Sequence, residues 1–333
     1  MILILGRKDD HSTTIVAEWL YYFNKQFIII NTEDNNIKII EYCPDKNIFC
    51  IKKNNQIYNL YDVTSVWNRR HGFSTNNFTN NYLEPNSQFF LEKGDSYHYK
   101  HMQEESKCLF DFIHYLLENN SIRKIGSFFY NDVNKLMVLD KAQKNGLMTP
   151  KTYILTRKID LIRLLNAYPT HNFITKPLSQ GVYRANLLND YVYYNHVERI
   201  TQKDVDRLSE EFYPSLFQIE ENKLYEIRAF YLFGNFYSMA IFSQCNKETK
   251  VDFRKNKYWE HPLKTVPYSL PKSIENNITN LMNELKLETG SIDLIVNNDG
   301  DYIFLEVNPC GQFGMTSTPC NYYLEKKIAE LLI

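Results

Sequence analysis

The chain has 333 residues, of which 44% are hydrophobic and 23% are charged. This length is about twice that of a common domain and the composition is that of a folded protein, which excludes both a disordered chain and one small module. The 38 basic and 39 acidic residues give a formal net charge of -1, which excludes an overall basic surface able to hold a nucleic-acid backbone.

Three further classes are disfavoured by simple counts. The longest apolar runs, at residues 15–20 and 27–30, are far shorter than the roughly 18 residues that span a bilayer. The apolar residues 1–6 are followed at once by charges, so they do not form a signal peptide, and a cytoplasmic location is expected. Six cysteines without C-x-x-C pairs indicate free thiols in a reducing compartment and no zinc site.

The first third of the chain opens with a strand, a helix and a strand. Apolar runs predict strands at residues 1–5 and 27–31, and a helix capped by residues 12–14 is predicted between them. The turn at residues 6–10 lacks the glycine spacing of a dinucleotide-binding turn, and no G-x-x-x-x-G-K-[ST] motif occurs. Further strands are predicted at residues 37–42, 48–51, 56–60 and 65–67, and a long helix at residues 97–118.

The rest of the chain mixes helices with antiparallel strands, which predicts an α/β (α+β) protein. Helices are predicted at residues 131–146, 158–166, 203–212 and 271–286. Strands are predicted at residues 151–155, 172–176, 216–220, 224–233 and 236–244, with a tyrosine-rich hairpin at residues 191–200. We place the domains at residues 1–120, 121–214 and 215–333.

The closing hairpin, GSIDLIVNNDGDYIFLEVNPCG at residues 290–311, is the most informative segment. Asp299-Gly300 is the dipeptide favoured in a two-residue type I′ turn, so Asp293 is predicted to face Glu306. The predicted apolar face consists of Ile292, Leu294, Val296, Ile303, Leu305 and Val307. The other face carries Asp293, Ile295, Tyr302, Phe304, Glu306 and, further along, Asn308.

The two opposed acids point to a bound cation. Carboxylates directly opposite each other on a sheet repel, and the pKa of one would rise unless a cation lies between them. Three oxygen ligands on a rigid surface suit Mg²⁺, which keeps waters and completes its shell with substrate phosphates. The alternative, a solvent-facing hairpin with ordinary surface acids, fits poorly with Ile295 and Phe304 beside them. Asp293, Glu306 and Asn308 are therefore the predicted metal ligands.

Basic and amide side chains elsewhere are candidates for holding a nucleotide. Lys135 begins a helix, and Lys176 ends an apolar strand, where an inward lysine needs an anionic partner. The turn after Lys176, at residues 178–181, offers backbone N–H groups to phosphates, and Gln218 or the adjoining backbone is a candidate for reading an adenine edge. Glu226 and Arg228 share a strand face, either as a surface ion pair or as a fork for a phosphate.

These residues, in their order along the chain, resemble the ATP-grasp superfamily. The motifs are Lys135, Lys176-Pro177, Gln218-Ile219-Glu220, Glu226-x-Arg228, Asp293 and Glu306-Val307-Asn308-Pro309. More narrowly, Trp67-Asn68-Arg69-Arg70, Asp252-Phe253-Arg254 and residues 305–313 look like graspetide (microviridin-type) peptide macrocyclases, especially the maturases of grasp-with-SPASM systems.

The resemblance implies an ATP-grasp fold with an N-terminal β-α-β pre-ATP-grasp domain, a central lid domain and a C-terminal antiparallel-sheet domain. It implies a ligase that uses ATP and Mg²⁺ to phosphorylate Asp or Glu side chains of a ribosomal precursor peptide and to close ω-ester or ω-amide rings. The roles it implies are Lys135, Lys176 and Gly181 at phosphates, Gln218, Ile219 and Glu221 at adenine and ribose, Asp293, Glu306 and Asn308 at Mg²⁺, and Arg228 and Arg254 at the transferred phosphoryl.

The expected partner is the leader and core of the precursor peptide, with no nucleic acid and no membrane. The hairpin at residues 191–200 and the helix after it are the candidate leader-binding segment, and similar enzymes suggest a homodimer. Two alternatives remain: an ATP-grasp ligase that adds a free amino acid to a peptide or protein carboxylate, and a nucleotide-binding regulatory module without turnover. The intact set of metal and phosphate candidates argues against the second.

Overall fold

The computed structural model describes residues 1–74, 96–179, 184–186, 191–193, 197–244 and 263–333. Helices and several sheets alternate along these residues, which confirms the predicted α/β class. The chain divides into two compact units, Met1–Asn131 with Tyr322–Ile333, and Asp132–Asn321. The three-domain division made from the sequence stays a prediction. Within the described residues, no helix has the length and apolar character needed to cross a membrane.

The first unit is built on a parallel sheet in the order β2-β1-β6-β7. Its strands are β1 Ile2–Gly6, β2 Phe27–Asn31, β6 Ser65–Asn68 and β7 Arg123–Ile125. Helix α1, His11–Tyr22, connects β1 to β2 as predicted, and the Asp10 side chain caps it by accepting from the Ser12 N–H. The five residues of β1 are all buried, as expected for the central strand of a parallel sheet.

A small antiparallel sheet and two helices complete this unit. The sheet has the order β3-β4-β5, with β3 Lys38–Cys43, β4 Ile48–Lys53 and β5 Gln56–Asn59. Helix α2, Ser96–Asn120, packs Phe110, Ile113 and Leu117 into the core formed with the strands. The closing helix α8, Leu324–Leu331, contacts α1. None of the five cysteines in the described part of the chain forms a disulfide.

The second unit contains a four-stranded antiparallel sheet in the order β12-β9-β13-β8. Its strands are β8 Thr152–Arg157, β9 Phe173–Lys176, β12 Glu198–Arg199 and β13 Glu211–Ile219. Helices α4, Lys158–Ala167, and α5, Gln202–Arg207, pack on it, where Leu161 and Val205 join a core with Phe173 and Phe217. We refer to this as the lid sheet.

Two sequence expectations about this region are wrong. The helix predicted at residues 203–212 ends at Arg207, because the backbone from Glu211 pairs with β8. The predicted hairpin also differs, because β11, Tyr191–Tyr193, pairs with β10, Arg184–Asn186, while β12 pairs with β9. The pairings of β13 with β8 and of β12 with β9 are between strands that are not consecutive, and they outweigh the local propensity.

The second unit also contains a five-stranded antiparallel sheet in the order β16-β15-β14-β17-β18, which we call the catalytic sheet. Its strands are β14 Lys223–Leu232, β15 Asn235–Phe242, β16 Lys264–Tyr268, β17 Thr289–Asn297 and β18 Tyr302–Asn308. Helices α3, Lys135–Lys144, and α6, Lys272–Glu284, cover one face and form with it the largest core cluster. The short helix α7, Gly314–Ser317, contacts β14 and β15.

The β17–β18 hairpin confirms the predicted pair of acids by a different route. Asp293 pairs with Glu306 as expected, but the turn is a three-residue loop closed by Asn297 and Asp301, not a two-residue type I′ turn. Gly300 adopts φ 85° there. A bulge at Leu305 then restores the predicted register beyond it.

The same bulge changes which side chains share a face. Phe304 pairs with Leu294 and Tyr302 with Val296, so both aromatic rings lie on the apolar face, where the sequence placed Ile303 and Leu305. Ile303 instead pairs with Ile295. The predicted two-residue turn is therefore wrong, as is the register of the outer half of the hairpin, whereas the register of the half that carries the acids is confirmed.

Candidate functional site

The face of the catalytic sheet opposite α3 and α6 carries Arg228, Asp293, Glu306 and Asn308, which were singled out in the sequence. Strand β14 pairs with β17 so that Arg228 lies beside Asp293, and Asp293 in turn lies beside Glu306 on β18. Alternation places Ile227, Ala229 and Tyr231 on the opposite, core face. Three neighbouring strands therefore position a row of charge on one rigid surface.

Arg228 and Asp293 form a buried ion pair. The Arg228 Nη1 donates to both carboxylate oxygens, at 2.9 and 3.0 Å, and the two side chains are only 7% and 19% exposed. The Arg228 Nε is buried and has no hydrogen-bond partner among the described residues. Since an unpaired guanidinium donor is costly to bury, this nitrogen fits an anionic group that is bound during function.

Glu306 is paired with a lysine from another element. The Lys135 Nζ lies 3.7 Å from the Glu306 Oε2 and donates to the Pro177 carbonyl oxygen at 3.4 Å. Lys135 is the first residue of α3, whose N-cap is Asn134. The structure thus brings a lysine, the end of β9 and an acid of β18 to one place.

Asn308 ends β18 and is held by a tight turn. Its carbonyl oxygen accepts from the Gly311 N–H at 2.9 Å. Gly311 has φ 54°, and a Cβ there would lie 2.8 Å from the ring of Phe230. Only glycine fits this contact, so the sequence Asn308-Pro309-Cys310-Gly311 fixes the amide at the end of the strand, on the same face as Glu306.

A second buried charge cluster lies on the same face and was only partly expected. Glu226, two residues before Arg228, accepts from the Lys223 Nζ at 2.7 Å and from the Ser243 Oγ at 2.8 Å. The Lys223 and Glu226 side chains are 5% and 10% exposed. Sequence reasoning missed Lys223 and Ser243, because nothing local indicates that β15 brings Ser243 beside Glu226.

The lid sheet carries the other candidates. Lys176 ends β9 and is half-buried. The Gln218 side chain is buried and donates to the Thr152 Oγ1 at 2.7 Å, while Ile219 uses its backbone N–H to bond the Lys151 carbonyl oxygen. Burial raises the pKa of Glu221 above its ordinary value, although His171 and Lys151 oppose the shift. Gly181 and Arg254 lie outside the described residues.

The chemistry of this face suits a metal ion together with phosphate. Asp293, Glu306 and Asn308 offer two carboxylates and an amide oxygen, the donor set of hard divalent cations that keep open positions. No group of three or more His, Cys, Asp or Glu side chains able to hold a metal occurs in the described part of the chain. A cation here would therefore complete its shell with waters or with ligand oxygens, while Arg228 and Lys135 provide positive charge for an anion.

Comparison with known proteins identifies the fold that carries these residues. No protein-family model and no curated protein matches the sequence. Among solved structures, the chain is similar to the macrocyclase MdnC bound with precursor peptide MdnA from Microcystis aeruginosa MRC, with 23% identity, coverage of 100% and 99% of the two chains and a TM-score of 0.76.

Two further structures show the same likeness. A RiPP-associated ATP-grasp ligase from Chryseobacterium gregarium, in complex with ADP and a leader and core peptide, has 22% identity, coverage of 99% and 96%, and a TM-score of 0.78. The ATP-grasp ligase PsnB, complexed with a phosphomimetic variant of its minimal precursor, Mg and ADP, has 14% identity, coverage of 99% and 97%, and a TM-score of 0.70. The chain therefore has the fold of these ATP-grasp ligases over its whole length, which confirms the fold that its motifs predict.

Proposed function

We propose that this chain is an ATP-dependent peptide ligase that activates Asp or Glu side chains of a ribosomal precursor peptide and closes ω-ester or ω-amide rings. The observation that carries the proposal is the row of Arg228, Asp293, Glu306 and Lys135 on one rigid face, with Asn308 at its end. Three solved structures of this fold, each with a precursor peptide and two of them with ADP, support the substrate class.

The chemistry requires two steps, and both need positive charge more than covalent help. An oxygen of the peptide carboxylate attacks the γ-phosphorus of ATP, which releases ADP and leaves an acyl phosphate. A Ser or Thr hydroxyl or a Lys amine of the same peptide then attacks the acyl carbon, loses its proton and expels phosphate. Each ring therefore consumes one ATP and removes one water from the peptide.

The residues of the catalytic sheet have distinct roles in this scheme. Arg228 directs its unpaired Nε and its remaining donors at the transferred phosphoryl group, where positive charge lowers the barrier. Asp293, Glu306 and Asn308 hold Mg²⁺, which when bound neutralises charge on the phosphates. Lys135 binds a phosphate oxygen. Arg254 is proposed for the acyl phosphate on the strength of the sequence resemblance alone.

The lid sheet is proposed to hold the nucleotide base and sugar. The Gln218 amide nitrogen already donates to Thr152 and the Ile219 N–H to the Lys151 carbonyl oxygen, so the proposal that Gln218 and Ile219 hold adenine rests on the sequence resemblance alone. The half-buried Glu221 carboxylate, whose pKa is raised by burial, suits the ribose hydroxyls. Lys176 and Gly181 complete the phosphate contacts. Leader binding at residues 191–200 and the helix after them, and a homodimer, remain proposals from the resemblance. A cytoplasmic location remains a proposal from the N-terminal sequence.

The test is the intact mass of a candidate precursor peptide, encoded by a small neighbouring reading frame, after incubation with the protein, ATP and Mg²⁺. We expect an ATP-dependent loss of one water, about 18 Da by condensation, for each ring. No free amino acid is added. A different outcome is an unchanged peptide mass without free amino acids and a gain of one amino-acid residue when amino acids are supplied. That outcome would instead assign the chain to the ligases that extend a carboxylate. A matched reaction with Glu306→Gln controls for a contaminating activity.

A further inference from the structure

Both acids of the predicted metal site are already held by a cation of the chain. Asp293 is bound by Arg228 at 2.9 Å, and Glu306 lies 3.7 Å from the Lys135 ammonium. The sequence suggested that a cation must lie near two opposed carboxylates, and in this structure the chain itself supplies two. A divalent ion that approaches Glu306 therefore meets a positive charge at about the distance where unit charges interact strongly.

Helix stability does not explain the position of Lys135. It is the first residue of α3, and the first turn of this helix contains no acidic residue. The N-terminus of a helix carries partial positive charge, which disfavours a lysine there. The ammonium is also withdrawn from water, because the side chain is only 23% exposed, although its long stem could reach solvent.

The contacts of Lys135 connect three elements of the site. The ammonium donates to the Pro177 carbonyl oxygen directly after β9, and it neighbours Glu306 on β18. The Lys135 ammonium therefore lies between Pro177, the residue directly after β9, and Glu306 of the catalytic sheet. A short movement of its flexible stem exchanges one anionic partner for another, because lysine is a point charge without a fixed donor geometry.

We propose that Lys135 holds the place of a divalent cation on Glu306 and releases it when a nucleotide phosphate arrives, so that metal and nucleotide bind together. This inference rests on the proposed function. In the absence of nucleotide, a metal ion must displace the ammonium from Glu306 and binds weakly. With nucleotide present, the phosphate takes the ammonium and frees the carboxylate. By linkage, bound metal strengthens nucleotide binding by the same factor.

The test is a titration of the nucleotide-free protein with Mn²⁺. Binding is measured as the decrease in the electron paramagnetic resonance signal of free Mn²⁺. Lys135→Met removes the competing charge and should tighten Mn²⁺ binding about tenfold relative to the unaltered protein. Lys135→Arg keeps the charge and should leave binding weak. Lys141→Met is the matched control, because Lys141 lies on the same helix and pairs with Glu284 at 3.4 Å; it should change nothing.

A double variant locates the effect. Glu306→Gln in the Lys135→Met background should abolish the gain, since the released carboxylate is then missing. The inference is overturned if Lys135→Met binds Mn²⁺ no more tightly than the unaltered protein, or if Lys141→Met produces the same gain. Circular dichroism of each variant confirms that it is folded, and Lys135→Gln serves as the second neutral substitution.

A parallel titration separates this inference from the proposed function. ADP binding is measured for the unaltered protein with and without Mn²⁺. If ADP binds in the presence of Mn²⁺ but Lys135→Met does not tighten metal binding, the role of Lys135 is wrong and the nucleotide site stands. If ADP does not bind at any Mn²⁺ concentration, the proposed function itself fails.

Discussion

Each of the two units contains a buried arginine–aspartate pair. The two pairs differ in whether the buried arginine Nε has a hydrogen-bond partner and in which groups adjoin the aspartate. In the first unit, Arg69 and Asp10 are 2% and 8% exposed and the Arg69 Nε donates to Asp10 at 2.7 Å. Asp10 also caps α1 and lies 3.7 Å from Arg70. In the second unit, Arg228 has a buried Nε without a partner among the described residues, and Asp293 adjoins another acid.

We interpret the pair in the first unit as structural, and we propose that the pair in the second unit is functional. The carboxylate of Asp10 accepts from a helix terminus and from an arginine, so it connects the end of β6 to the start of α1. The row around Arg228 is under-satisfied in donors and crowded in acids, which is costly unless a ligand completes it. The proposed site therefore rests on an unused arginine donor together with two opposed acids, and not on burial alone.

The largest expected effect comes from the acid row. Glu306→Gln keeps the size of the side chain and removes its charge, and we expect it to lower ADP formation by on the order of a thousandfold. Because the side chain is 29% exposed and not part of the core, the thermal midpoint should stay within a few degrees. Coupled-enzyme assay of ADP and calorimetry measure the two quantities. Full activity in this variant would remove the metal-site assignment.

The first unit should lose stability at acidic pH because of His114. Burial, assisted by the nearby His71, lowers the pKa of His114 from 6.5 to about 3. The unfolded chain then takes up a proton at His114 that the folded chain refuses, so stability is complete above pH 6.5 and is lost as the pH falls toward 3, by up to roughly 4 kcal/mol.

The measurement is urea unfolding of the unaltered protein and of His114→Phe at pH 7 and at pH 4. The phenyl ring keeps the stacking on Phe128, whose centroid lies 3.9 Å away. We expect the variant to lose less stability on acidification than the unaltered protein. Equal losses would show that His114 becomes protonated without cost in the fold.

Replacing each of the two buried arginines by lysine tests whether their roles differ. Arg228→Lys should lower ADP formation about a hundredfold, because the directed donors are lost while a charge remains beside Asp293. Arg69→Lys should cost about 2 kcal/mol of stability, because the short Nε contact to Asp10 is lost. Activity and urea unfolding are measured for both. If Arg69→Lys lowered ADP formation more than Arg228→Lys does while remaining fully folded, the structural interpretation of the Arg69–Asp10 pair would be wrong.

A smaller effect is expected at the turn that places Asn308. Gly311→Ala must adopt φ 54° and bring a Cβ to 2.8 Å from the Phe230 ring, which together should cost about 2 kcal/mol. Mn²⁺ binding should weaken with it, because Asn308 shifts. Gly300→Ala, in an open turn with φ 85° and no atom within 4 Å, provides the matched backbone control and should cost stability without affecting Mn²⁺.

The smallest effect should come from a surface pair. Lys144 and Asp140 are 2.6 Å apart on α3 but 68% and 59% exposed. Lys144→Ala should leave the free energy of unfolding unchanged within the error of the measurement, because solvent screens an exposed pair. A measurable loss of stability in urea unfolding would mean that this exposed pair contributes to stability in the way the buried Arg69–Asp10 pair does.

The sequence could predict what depends on neighbours along the chain. The strands predicted at residues 224–233 and 236–244 form the β14–β15 hairpin. The pairing of Asp293 with Glu306 is also confirmed, but a three-residue turn and the bulge at Leu305 produce it together. The outer half of the closing hairpin could not be obtained, because the bulge at Leu305 has no local signature. The contact of Ser243 with Glu226 and that of Lys135 with Glu306 join residues on different elements, at separations of 17 and 171 residues. Lys223 is only three residues from Glu226, and it was not among the residues considered from the sequence.

The central claim is that this protein activates a peptide carboxylate as an acyl phosphate at the catalytic sheet. The most direct test labels the side-chain carboxylates of the candidate precursor peptide with heavy oxygen and analyses the phosphate released during ring closure. The account predicts one heavy oxygen in inorganic phosphate for each ring, and neither label transfer nor rings with Glu306→Gln. Rings that form while the phosphate stays unlabelled would contradict it.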